Sequence, residues 1–184
     1  MKRDIPIEVE TELLREIMRK KPLFLRCRGR SMGYSIRDGE LMEVRYIPPK
    51  EISRGDIVLF MKEGKLFSHR VIRVIEEDGE LKFVIKGDVL LDIDGYIPSS
   101  AIIGRVEGVI REGRKITLRK KNRYLPLLIA FYSHILYRTL GRSNFYRTFW
   151  DNPPSSGWKR GFLRFSERIY RLPLRLLSFF ERRN

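Results

Sequence analysis

At 184 residues the chain can form one domain with a real core plus an appendage, and 42% hydrophobic with 11% aromatic content marks it as globular rather than disordered. A single cysteine, Cys27, excludes an internal disulfide, a cysteine zinc site and a dithiol redox pair. The net charge of +15 is uneven, with 24 Lys and Arg against 20 Asp and Glu in residues 1–119 but 14 against 3 in residues 120–184, so the attraction for anions is concentrated in the last third.

Residues 1–22 predict a short amphipathic helix. Ile7, Val9, Leu13, Leu14, Ile17 and Met18 recur at near-helical spacing among charges, and Pro22 stops the pattern. The same stretch lacks a signal-peptide core. Residues 23–118 carry short strand signals: LFLRC, LMEVRYI, DIVLFM, KLFSHRVIRVIEE, ELKFVIKG, IIGRVEGVI and KITL. The turn clusters RDGE, SRGD, KEGK, EEDGE, DIDG and REGR separate them, which predicts a mainly β, coiled antiparallel domain rich in hairpins. Cys27, between Arg26 and Arg28, reads as a buried strand residue.

Residues 119–184 form a basic tail that returns to helical periods, interrupted by DNPPSSG at 151–157. The apolar run LPLLIAFYSHILY at 125–137 falls short of the roughly 18–20 residues that cross a bilayer and suits a buried or interfacial helix. Further on, Arg160, Arg164, Arg168, Arg171 and Arg175 fall within an arc of about 80°, with Phe162, Phe165, Ile169 and Leu172 elsewhere. Such a helix suits an anionic membrane surface; packing of its apolar face on the β-domain is the plainer alternative, and nucleic acid is the least favoured partner.

Three segments carry chemistry. In LRCRGRSM a strand ends, Gly29 lets the chain turn tightly, and Ser31 projects at the bend. His69 shares a strand face with Phe67, Val71 and Arg73, where it reads either as a core histidine or as a base able to take a serine proton near neutral pH. The other histidine, His134, has no acidic neighbours and is assigned to packing. KGDVLLDID places Asp88, Asp92 and Asp94 at a strand end and loop. The glycine and distal glutamate offsets of a calcium loop are absent, so neither a metal nor another cofactor is expected. One aspartate orienting His69, with the others in loop hydrogen bonds, is the better reading.

In this order GRSM at 29–32, RDGE at 37–40, RGDIVLF at 54–60, SHRVIRV at 68–74, KGD at 86–88 and IIGRVEGVI at 102–110 resemble the catalytic domain of the type I signal peptidase and LexA-type protease clan, in its histidine-base branch. The resemblance covers about 23–118. It implies Ser31 as nucleophile, His69 as base and Asp94, six positions after the aspartate of KGD, as acid, with Asp92 the alternative; Gly29, Met32 and Asp88 are supporting positions. It further implies the coiled β-fold of that clan, an oxyanion contact from the Ser31 N–H, and a peptide or protein substrate held as an extended strand on a β-edge.

Tyr34 stands where the family has proline, and Gly29 where many signal peptidases carry a hydroxyl, although repressor proteases also have glycine there. No N-terminal anchor is evident, which resembles the small soluble members that accompany peptide-modification systems. The implied substrate is then a leader peptide or another precursor, met in the cytoplasm or at the inner face of the membrane. The alternative is a catalytically silent relative that binds peptide or docks on a membrane surface. A self-cleaving repressor is disfavoured, because 22 residues before the first strand cannot hold a helix-turn-helix.

Overall fold

The computed structural model describes residues 6–33, 35–90, 92–118, 124–136 and 138. Tyr34 and the arginines between 160 and 175 lie outside the described residues. In chain order the elements are helix α1 (Ile7–Lys20), strands β1 (Leu23–Arg26), β2 (Leu41–Arg45), β3 (Ile57–Lys62), β4 (Lys65–Glu77), β5 (Glu80–Lys86), β6 (Gly95–Pro98), β7 (Ile102–Arg111) and β8 (Arg114–Thr117), then helix α2 (Tyr124–Leu136). All strand pairs are antiparallel, in the order β1-β2-β7-β3-β4-β5-β6, with β8 also pairing β7. This is the mainly β, coiled architecture that the turn spacing predicts.

Three of the turn clusters become two-residue hairpins. Glu63-Gly64, Asp78-Gly79 and Glu112-Gly113 all have positive φ at both positions, the primed turn whose twist matches that of the flanking strands. They close β3 onto β4, β4 onto β5 and β7 onto β8. β6 is a strand that the sequence pattern misses. Only four residues long and bounded by Gly95 and Pro98, it has too little alternation to read, and its pairing with β5 defines it.

Each of three strand pairs carries one extra residue: Glu107 opposite β2, Ile103 opposite β3, and Ile72 in β4 opposite β5. Such bulges strengthen the local twist and coil the sheet. The bulge at Ile72 also corrects the expected face of Arg73. His69 and Val71 lie on one side, but beyond Ile72 the alternation slips, so Arg73 pairs with Val84 and shares its side with Ile72 and helix α2.

α1 ends before Pro22, as the pattern predicts, yet it is rotated relative to its apolar residues. Thr11 and Met18 are buried with Leu14 beside them, whereas Val9, Leu13 and Ile17 are exposed. The cause is Arg15, whose guanidinium donates to the main-chain carbonyls of Ser99, Ser100 and Ile102 at the corner before β7. A fork satisfied by three carbonyls fixes the rotation more tightly than the leucines and isoleucine that would otherwise face inward. α2 packs on β4, where Ala130 clusters with Ile72 and Val84, and Ile75 and Ile93 pack against the group.

Candidate active site

The strand β1 hands the chain to a tight turn in which Gly29, at φ +104°, takes a conformation side chains disfavour, and its N–H donates to Asp38 Oδ1 at 2.8 Å. Gly33 N–H then closes onto the Arg30 carbonyl at 3.0 Å, with Ser31 inside this turn. Met32, next in sequence, is buried in the core beside Ile36 and Met42 and anchors the turn from below. The Ser31 carbonyl accepts from the Val89 N–H at 3.0 Å, so the serine turn rests on the segment that follows β5. Gly87 permits this approach: a Cβ there would lie 2.9 Å from the Ser31 oxygen.

His69 reaches the same place from β4, opposite Val58 in β3. Only 5% exposed, its ring stands by those of Phe60 and Phe67, with centroids 6.2 and 6.1 Å away. Its two nitrogens have different partners. Nε2 lies 2.7 Å from Ser31 Oγ, and Nδ1 lies 2.7 Å from Asp94 Oδ2. An ionised carboxylate only accepts, so in the neutral ring the proton sits on Nδ1 and Nε2 is left to accept from the serine hydroxyl. Asp94 is held at the entrance to β6, its N–H donating to the Ile85 carbonyl at 2.8 Å and its own carbonyl accepting from Lys62 Nζ at 2.7 Å.

Of the three aspartates, Asp94 therefore meets the histidine, and Asp92, the alternative acid, is exposed two residues earlier. Asp88 departs from the expected loop role. It is buried against Arg70, which donates Nε to Oδ1 at 2.8 Å and Nη2 to Oδ2 at 2.9 Å, while Ser35 Oγ donates to Oδ2 at 2.7 Å. Arg70 also reaches the Gly55 carbonyl at 2.8 Å. Burial alone would raise the Asp88 carboxyl, but the charge and hydrogen bonds of Arg70, with the Ser35 hydroxyl, outweigh it and hold the group below the usual carboxylate range. The pair ties the serine turn, through Ser35, to the KGD segment.

Arg70, Ser35 and Lys86 are the residues that sequence reasoning did not single out. A cation inside an apolar strand run was the available signal, as in HRVIRV and FVIKG. Lys86 pairs across from Arg70, is fully buried, and donates Nζ to the Gly87 carbonyl at 3.1 Å. Burial pushes its amine down to about 8, against the pull of Asp88 and Asp94. Among the described residues, no group of three or more His, Cys, Asp and Glu is arranged to hold a metal ion.

The model of the Peptidase S24-like family matches residues 3–107, a span that contains Ser31, His69 and Asp94. The chain belongs to this family. For a Peptidase S24-like domain, the coiled sheet described above is the expected fold, and the match takes in α1 and most of β7. No curated protein matches the chain.

Proposed function

We propose that this S24-like protein is a serine endopeptidase in which Ser31 is the nucleophile, His69 the general base and Asp94 the group that orients it. The observation that carries the reading is the continuous relay of two 2.7 Å contacts, Ser31 Oγ to His69 Nε2 and His69 Nδ1 to Asp94 Oδ2. His69 takes the hydroxyl proton as Ser31 Oγ bonds to the scissile carbonyl carbon. The Ser31 N–H stabilises the oxyanion that forms. His69 then returns its proton to the leaving amine, and water, activated by the same imidazole, releases the acyl group from Ser31.

The substrate of this reading is a peptide or precursor, such as the leader of a modified peptide, held as an extended strand on a sheet edge. The test is mass spectrometry of new N-termini after a peptide extract is incubated with the wild type and with Ser31→Ala. Termini formed by the wild type alone support the peptidase and reveal its preference; none at any pH from 6 to 9 sinks it.

A further inference from the structure

Helix α2 has two unlike sides. Ile129 and Ala130 are buried against the sheet, whereas Leu128, Phe131 and Ile135, spaced three and four apart, are 50%, 53% and 40% exposed. At 13 residues it is too short to cross a bilayer, and no helix among the described residues is long and apolar enough to do so.

Cations border this row. The Arg54 guanidinium lies 5.6 Å over the Phe131 ring, and its Nε is buried with no hydrogen-bond partner. His134 Nδ1, on the same helix, is buried and equally without a partner. The imidazole is pushed down first by burial and then by the charges of Arg54, Arg138 and Arg73, all three of them guanidinium groups. Arg73 faces this side because of the bulge at Ile72. No ion pair among the described residues engages Arg54, Arg73 or Arg138. Three guanidinium groups with no ion pair among the described residues, one of them stacked on the exposed apolar row, make this face attractive to an anion.

We propose that α2, with Arg54, Arg73 and Arg138, is a docking surface for an anionic phospholipid bilayer. Leu128, Phe131 and Ile135 enter the acyl boundary, while the guanidinium groups meet the headgroup phosphates. A dissolved phosphate would use the cations but leave three large apolar side chains in water, and an apolar protein groove would bury the row but leave the guanidinium groups without a counter-charge. A bilayer with anionic headgroups satisfies both layers at once. These residues lie outside the 160–175 segment in sequence, and the test does not depend on proteolysis.

The experiment is vesicle flotation of the full chain on phosphatidylcholine alone and with 30% phosphatidylglycerol. The wild type should float only with the anionic vesicles. The double variant Leu128→Ser/Phe131→Ser, at exposed positions, should weaken binding at least tenfold with an unchanged circular dichroism spectrum. Arg54→Gln/Arg138→Gln should do likewise, while Lys65→Gln/Arg114→Gln, an equal charge loss on exposed hairpins, should bind as the wild type does. Undiminished flotation of Leu128→Ser/Phe131→Ser overturns the proposal, because binding then runs through another segment. Equal binding to neutral vesicles, or no binding by the wild type, overturns it as well.

Discussion

Replacing Asp88 with alanine tests the strut beneath the serine turn. Arg70 and Asp88 are only 1% and 3% exposed, so the substitution strands a guanidinium in the interior and deletes two charged hydrogen bonds together with that of Ser35. Removing one partner of a buried ion pair costs about 3–5 kcal/mol, a large share of the roughly 5–15 kcal/mol that holds a domain together. Urea unfolding at pH 7, followed by circular dichroism, should show that loss as a lower midpoint at unchanged slope. The double variant Arg70→Met/Asp88→Leu removes both charges and should cost less than the single one. The sign in pH is fixed by the depressed Asp88 carboxyl: its contribution is complete above the unfolded value of about 4 and is lost as pH falls through the lower folded value. Asp88→Ala should therefore also flatten acid unfolding. A cost below about 1 kcal/mol, or a double variant as damaged as the single, would refute the strut.

Lys86 has the opposite sign. Its amine, lowered to about 8, opposes folding most strongly below pH 8, and the penalty fades as pH rises toward the unfolded value of about 10.4. Lys86→Met should thus gain more stability over the wild type at pH 7 than at pH 10; an equal difference at both would show that the charge is not the cause. Asp94→Asn should slow cleavage by about three to four orders of magnitude, and Asp92→Asn should leave it within a few-fold, as read from the rate at which new termini form. Equal losses in the two would break the assignment of Asp94. Gly87→Ala places a methyl 2.9 Å from the Ser31 oxygen and should lower the thermal midpoint by several degrees, whereas Gly64→Ala, where nothing lies within 4 Å, loses only the φ preference.

What was legible in the sequence follows from how local its causes are. The hairpins at 63–64, 78–79 and 112–113 need only a short turn with glycine second, and α1 ends where Pro22 dictates. The rotation of α1 was hidden because Arg15 is fixed by carbonyls more than eighty residues away. β6 and the Ile72 bulge were hidden for the same reason, since pairing with β5 decides both. At the site, residue types pointed to Ser31, His69 and a nearby aspartate, and the resemblance separated Asp94 from Asp92. The partner of Asp88 was hidden, because a carboxylate in a loop-like stretch shows nothing of the Arg70 that folds over it.

Ser31 belongs to the hairpin of β1 and β2, while His69 and Asp94 belong to the meander from β3 to β6, and in the sheet these two halves touch only through β7. Direct contacts between them, among them Val89 to the Ser31 carbonyl, Ser35 to Asp88 and the Ser31–His69 pair itself, lie outside any strand ladder, which only β7 supplies. Ser31 and His69 both precede β7 in the chain, and β7 is the strand that joins their two halves of the sheet. A chain that ended before β7 would carry Ser31, His69 and Asp94 yet lack the ladder that joins their two halves of the sheet, so the relay depends on a strand that supplies none of its residues.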